Sequence, residues 1–193
     1  MMHNKRLVSY ILDLVVVTFF LSVCFFFFPK EKEMKEIQAE IDNLSEQYTS
    51  GKSSAAHYFM EMSRVEKRKS EKEIVKIGMN GLVIILYYFV LPFFFQGATL
   101  GMKWMRIHLV SNKGKSLFFP LMMRTLILDG LLSTFLLFFS IYVIPSEFYL
   151  SFVSVLVILQ VLTLIIDYFM IKYRSDKTGL CDCLSNSNVE TFS

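Results

Sequence analysis

Four charged residues lie inside long apolar stretches of this chain: Asp13, Arg124, Asp129 and Asp167. An unpaired charge at the centre of a bilayer costs at least ~2.5–3.5 kcal/mol, so such residues pair with one another, face water or bind an ion. One arginine against three aspartates leaves at least one carboxylate to be protonated, solvated or occupied by a cation. The four positions are therefore candidates for cation or proton binding, or for an ion-pair cluster that holds helices together.

The stretches that carry these charges have the length and composition of transmembrane helices. Of the 193 residues, 54% are hydrophobic and 19% are charged, which is too apolar for a soluble domain of this size. Four segments reach or approach the ~20 residues that cross a bilayer as a helix: residues 7–28, 77–95, 121–144 and 148–171. We predict an all-α membrane protein with four transmembrane helices, folded as a single domain with a tail at 172–193 and surrounded by the lipid bilayer.

Helix geometry gives the expected depth of each charge. At ~1.5 Å per residue, Asp13 lies about 10 Å inward from Arg6, and Arg124 lies about 10 Å inward from Leu117. These matching depths predict an ion pair between Asp13 and Arg124. Asp129 and Asp167 fall in the same half of the membrane, which would make the surroundings of the pair net acidic.

The longest polar stretch, residues 29–76, separates the first two apolar segments. Its acidic and basic side chains are nearly balanced, and its apolar residues recur at the spacing of a coiled-coil seam. These seam residues are Met34, Ile37, Ile41, Leu44 and Tyr48, followed by a turn at Gly51. We predict a helical hairpin outside the lipid, which is either a solvated spacer or a docking surface for a protein partner.

The link at residues 96–116 contains basic residues and no acidic residue. Short basic loops are retained on the cytoplasmic side of a membrane, so we expect this link and both chain termini to be cytoplasmic and the hairpin to lie outside. The hairpin itself carries ten Lys or Arg residues, but acidic residues accompany them. The charge count alone therefore does not fix the orientation.

Three separated segments carry a family resemblance. Residues 5–13 contain an arginine and an aspartate seven positions apart, residues 97–101 read Gly-Ala-Thr-Leu-Gly, and an aspartate follows Gly-Leu-Cys in the tail. Together they resemble the RDD family of small bacterial integral membrane proteins, which is named for a recurring arginine and two aspartates. The matching residues are Arg6, Asp13, Gly97, Thr99, Gly101 and Asp182, with Asp129 and Asp167 as alternatives for the second aspartate.

The resemblance implies a multi-pass protein of the bacterial cell membrane. Transport has been suggested for the family, and sodium/proton exchange is attributed to some members. Two functions remain open for this chain. One is transport of a monovalent cation or proton through the inner carboxylates, with a homo-oligomer enclosing the path, because four spans without an internal repeat enclose little by themselves. The other is a membrane scaffold or sensor that binds a partner through the 29–76 hairpin.

Other classes of function lack a sequence signature. No nucleophile elbow, phosphate-binding loop or HExxH helix occurs, so we expect no catalytic residues, no enzyme activity and no cofactor. Cys181 and Cys183 with Asp182 between them supply too few ligands for a zinc site. The net charge of +3 comes without a basic surface interleaved with aromatic residues, so we expect no nucleic-acid partner.

Overall fold

The computed structural model describes residues 2–26, 32–111, 116–175 and 178–192. Helices dominate this part of the chain, and a pair of short strands accompanies them. The helices are α1 Met2–Phe26, α2 Lys32–Thr49, α3 Ala55–Lys72, α4 Ile74–Ile84, α5 Leu91–Phe94, α6 Leu100–Trp104, α7 Phe118–Ile127, α8 Leu131–Val143, α9 Tyr149–Tyr173 and α10 Leu180–Ser185. A π-helical turn, Ile85–Val90, joins α4 to α5, and a 3-10 turn, Ser146–Phe148, precedes α9. The strands are β1 Ile107–Ser111 and β2 Ser187–Thr191.

Within the described residues, three helical segments are long and apolar enough to cross a membrane. They are Asn4–Phe26, Ile74–Phe94 and Ser146–Tyr173. A fourth candidate is the pair α7 and α8, which is bent by 54°. The prediction of a helical membrane protein is thus confirmed, with three candidate spans, or four when the bent pair is counted as one. Residues 27 and 28 of the predicted first span lie outside the described residues.

The predicted third span, residues 121–144, is broken into two helices, α7 and α8. Gly130 has a φ of 81°, a left-handed conformation that favours glycine and ends α7 before α8 begins. A side chain of α9 satisfies the carbonyl groups left free by the break. Gln160 Nε2 donates hydrogen bonds to the Ile127 oxygen at 3.2 Å and to the Leu128 oxygen at 2.9 Å. Gln160, a polar residue in an apolar segment, is thereby explained, because freed backbone groups at membrane depth need such a partner.

Helices α2 and α3 contact each other near their connection and along their length. The rings of Tyr48 and Tyr58 stack with centroids 4.7 Å apart. The Arg68 guanidinium lies 2.6 Å from the Glu40 carboxylate. The contact partner on α3 comes later in the chain when the residue on α2 comes earlier. The two helices therefore run antiparallel. Residues 29–31 of the predicted 29–76 hairpin lie outside the described residues.

Helix α3 is attached to the turn between α8 and α9. The Ser63 hydroxyl donates a hydrogen bond to the Ser146 carbonyl oxygen and accepts one from the Leu150 N–H at 3.0 Å. Lys67 Nζ donates to the Ile144 oxygen at 2.8 Å. Ser63 is almost completely buried. A purely solvated spacer would lack such contacts, so α3 is part of the packed body of the protein.

The all-α prediction missed a small antiparallel ribbon made by β1 and β2. In this ribbon Ile107 lies opposite Thr191 and Ser111 lies opposite Ser187. Ile107 and Leu109 of β1 and Val189 of β2 lie on one face of the ribbon, at alternate positions of each strand, and pack in a common core. The residues of that core are Ala98, Met102, Ile107, Leu109, Leu121 and Val189. Residues 187–191 of the tail therefore fold back onto residues 107–111 of the link.

Candidate functional site

The Asp13 carboxylate is buried, and both of its oxygens accept hydrogen bonds. Only 2% of its surface is exposed. Its Oδ1 accepts from the Tyr87 hydroxyl at 2.6 Å and from the Gly101 N–H at 2.8 Å, and its Oδ2 accepts from the Thr99 hydroxyl at 2.6 Å. Three donors thus satisfy the buried carboxylate oxygens without a neighbouring cation. Asp13 thus joins α1 to α6 and to the π-helical turn after α4.

The residues after the second candidate span are shaped to receive Asp13. A side chain on Gly101 would overlap the Ser9 carbonyl oxygen and lie 2.8 Å from the Asp13 carboxylate. The Thr99 hydroxyl also accepts from the Met102 N–H at 3.2 Å and so caps α6. The Gly-Ala-Thr-Leu-Gly segment is therefore a close-contact surface for α1.

Arg6 forms an ion pair with Asp182 across the two ends of the chain. Arg6 Nη1 lies 2.6 Å from Asp182 Oδ2, and the side chains are 11% and 7% exposed. The same carboxylate oxygen accepts from the Gly179 N–H at 3.0 Å, at the start of α10. The arginine and the tail aspartate of the sequence resemblance therefore contact each other directly.

Asp167 holds the same end of α10. Its Oδ1 accepts from the Leu180 N–H at 2.7 Å. Gly179 packs so closely against this carboxylate that a side chain there would overlap it. Two carboxylates, from α9 and from α10 itself, thus satisfy N–H groups that the first turn of a helix leaves free.

A cavity of about 170 Å³ lies beside these groups, between α1, α7, α9 and α10. Its lining residues are Arg6, Leu7, Tyr10, Arg124, Leu128, Leu164, Asp167, Tyr168, Ile171 and Asp182. The volume is enough for several water molecules. The cavity, at the end of the bundle where α10 lies, is therefore lined by both charged and apolar side chains.

The predicted ion pair between Asp13 and Arg124 is wrong. The Asp13 carboxylate accepts its hydrogen bonds from Tyr87, Thr99 and Gly101 instead. Across the described residues, the Arg124 guanidinium forms neither a hydrogen bond nor an ion pair, and the side chain lines the cavity. Equal depth was not enough to predict contact, because it says nothing about which face of each helix carries the charge.

Asp129 is the buried carboxylate that the rest of the fold leaves unsatisfied. Both of its carboxylate oxygens are buried and have no hydrogen-bond partner among the described residues. It follows the end of α7, where its N–H donates to the Arg124 carbonyl oxygen at 3.2 Å. The Arg124 guanidinium attracts it electrostatically without pairing with it. Such a carboxylate can take up a proton or bind a cation.

A comparison with protein-family models gives a match to the RDD family over residues 3–186. The chain belongs to the RDD family. The matched range contains the Arg6–Asp182 pair, Asp13 and the Gly97–Gly101 segment. Searches of curated proteins and of solved structures give no match.

Two cysteines of the chain lie on α10 in different surroundings. Cys183 is exposed and Cys181 is buried. Burial raises the pKa of the Cys181 thiol to about 12, so it is protonated at neutral pH, whereas metal ligation uses the thiolate. The described residues contain no group of three or more His, Cys, Asp or Glu side chains that would hold a metal ion.

Several residues of the candidate site were not predicted from the sequence. Tyr87 binds Asp13, Tyr10 lines the cavity, and Gly179 receives Asp167. Tyrosines inside an apolar segment were a usable signal, because a buried hydroxyl needs a partner. Gly179 gave no signal, since its contact is made with a residue of another helix.

Proposed function

We propose that this RDD protein carries protons or small monovalent cations across the membrane, without catalysis and without a cofactor. One observation carries the proposal: the Asp129 carboxylate is buried and has no hydrogen-bond partner in the described structure. An intramembrane carboxylate in this condition is favourable only when it is protonated or when it binds a cation. Because the positive Arg124 guanidinium is nearby, the net charge at Asp129 is small. A cation or proton that binds there can therefore also be released.

We propose that Asp129 is reached from the end of the bundle at which the cavity lies. Arg124 and Leu128 line this cavity, and Asp129 is the next residue in the chain after Leu128. With at most four candidate spans among the described residues, a single chain encloses little space, so we propose that a homo-oligomer completes the path. The surrounding membrane is proposed to be a bacterial cell membrane.

The Asp129→Asn variant tests this function. Asparagine keeps the shape of the side chain but neither titrates nor carries charge, so we expect ion flux to fall at least about tenfold, on the scale of a lost charged interaction. Purified protein in liposomes is assayed with Na⁺, K⁺ and proton gradients and a fluorescent dye. Asp42→Asn, an aspartate of α2 outside the candidate spans, is the matched control and should retain flux.

Two results would contradict the proposal. One is wild-type protein that moves none of these ions faster than empty liposomes do. The other is an Asp129→Asn variant with unchanged flux. Melting of the variant in detergent, compared with the wild type, separates loss of the site from loss of the fold.

The orientation of the protein is part of the proposal. The Arg6–Asp182 ion pair and the β1–β2 ribbon bring the first helix, the 96–116 link and the tail to one end of the molecule. Because the 96–116 link is basic, we propose that this end is cytoplasmic and that the hairpin of α2 and α3 lies outside.

Single cysteines at Ser53 and Ser111 test the orientation. In a cysteine-free background, a membrane-impermeant thiol reagent added to intact cells should label Ser53→Cys and leave Ser111→Cys unlabelled. Both variants should be labelled after the membrane is opened, which serves as the control. The opposite pattern in intact cells would reverse the proposed orientation.

A second candidate function is binding of a protein partner by the hairpin. It is favoured by the exposure of three apolar residues near the α2–α3 connection, Tyr48, Phe59 and Met60. Exposed aromatic and methionine side chains close together are typical of binding surfaces. In that case the buried carboxylates are structural, and the flux assay would give the same result for wild type and Asp129→Asn.

A further inference from the structure

We propose that the cavity between α1, α7, α9 and α10 binds the headgroup of a zwitterionic phospholipid. The phosphate contacts Arg124 and the primary ammonium contacts Asp167. The inference does not depend on ion transport, because it uses the lining of the cavity and not Asp129.

Arg124 supplies the phosphate half of the site. Its guanidinium lines the cavity and, within the described parts of the chain, has no hydrogen-bond or ion-pair partner. A guanidinium has five N–H donors in a planar arrangement that matches the oxygens of a phosphate. Leaving these donors unpaired at membrane depth is costly, so an anionic group from outside the chain fits there.

Asp167 supplies the ammonium half. Its Oδ1 accepts from the Leu180 N–H at 2.7 Å, whereas its Oδ2 has no hydrogen bond to any described residue. A carboxylate oxygen accepts a charge-assisted hydrogen bond from a primary ammonium. A quaternary ammonium has no N–H and makes no such bond.

The two charges face the same cavity without contacting each other. Arg124 and Asp167 attract electrostatically, yet they do not form an ion pair. The other charged pair of the cavity, Arg6 and Asp182, is already closed at 2.6 Å. A single ligand that carries both a negative and a positive charge would therefore pair with Arg124 and Asp167 at once.

The walls and the depth of the cavity favour a lipid over a water-soluble zwitterion. Leu128, Leu164 and Ile171 line it, and Leu7, at its α1 side, is 43% exposed. Lys172 lies in the last turn of α9, where a basic residue reaches the membrane surface. Asp167 is five residues earlier, about 7–8 Å along the helix, which places it near the lipid headgroups. A volume of about 170 Å³ suits a headgroup, and the acyl chains stay in the surrounding leaflet.

Lipid retention measured by native mass spectrometry tests the site. Delipidated full-length protein is mixed with equal amounts of phosphatidylethanolamine, phosphatidylcholine and phosphatidylglycerol. We expect phosphatidylethanolamine to be retained about tenfold more than the other two, since only it carries both a phosphate and a primary ammonium. Equal retention of the three lipids would overturn the proposal.

Two charge variants test which side chain contacts the phosphate and which contacts the ammonium. Arg124→Gln should lower phosphatidylethanolamine retention about tenfold, and Asp167→Asn should remove the preference over phosphatidylglycerol. Arg64→Gln and Asp42→Asn change the same residue types outside the cavity and should leave retention unchanged. Wild-type preference in both cavity variants would refute the assignment.

A size variant keeps the test valid if the charge variants fail to fold. Leu7→Trp fills the α1 side of the cavity and should reduce retention, whereas Leu14→Trp, on the same helix at a 52% exposed position outside the cavity lining, should not. Equal retention in these two variants would argue against the cavity. Soluble phosphoethanolamine at the same concentration should not displace the lipid, and displacement would overturn the assignment to a membrane lipid.

Discussion

Replacing Asp13 by alanine is expected to destabilise the protein by about 3–5 kcal/mol, the scale on which a buried charged partner is lost. The carboxylate is 2% exposed and accepts hydrogen bonds from Tyr87, Thr99 and Gly101. Alanine leaves these buried donors without an acceptor and opens a gap between α1 and α6. Thermal unfolding in detergent, followed by circular dichroism, measures the effect.

Two further variants make the Asp13 prediction specific. Tyr87→Phe removes one of the three hydrogen bonds and should cost about 1 kcal/mol. Asp42→Ala removes an aspartate on α2 that accepts only from Gln38, at 3.0 Å on the exposed surface, and should change stability by less than about 0.5 kcal/mol. An Asp13→Ala variant as stable as Asp42→Ala would show that the three hydrogen bonds do not support the fold.

Breaking the Arg6–Asp182 ion pair is expected to destabilise the protein by about 3–5 kcal/mol, because removing either charge leaves the other buried and unpaired. Arg6→Met and Asp182→Asn are the suitable single changes. Asparagine keeps an oxygen that accepts from the Gly179 N–H, so the variant removes the charge and preserves the start of α10. In the double variant the losses should overlap, with a coupling of roughly 1–3 kcal/mol.

The structure provides a matched pair with the same separation. Arg68 and Glu40 are also 2.6 Å apart, but their side chains are 53% and 42% exposed. The corresponding Arg68→Met and Glu40→Gln changes should show a coupling of about 0–1 kcal/mol, because water screens an exposed pair. Similar coupling in both pairs would mean that burial does not set the strength of the Arg6–Asp182 contact.

The residues of the site were partly predictable. Asp13, Arg124, Asp129 and Asp167 stood out because charge inside an apolar segment needs a reason. The reason differs for each residue, however: Asp13 is hydrogen-bonded, Asp167 accepts from an N–H of α10, and Asp129 has no partner among the described residues. A single sequence gives the depth of a charge but not the helix face that its neighbours occupy, so the Asp13–Arg124 pair was wrong.

Polar contacts between distant segments were also beyond the sequence. The spacing of apolar residues predicted helices at 29–76 but not the hydrogen bonds that attach α3 to the turn before α9. The bend after α7 required both Gly130 and Gln160. Neither residue alone breaks a span, since a glycine is tolerated in many membrane helices.

The sequence by itself determined the class of the protein, its family and the approximate positions of its apolar helices, because the bilayer sets the length and polarity of any segment that crosses it. The tertiary structure decided which charges meet. It joined Arg6 to Asp182, surrounded Asp13 with donors and left Arg124 and Asp129 without direct partners among the described residues. These pairings depend on helix rotation and on the folding back of the tail, which arise from contacts between residues up to 176 positions apart.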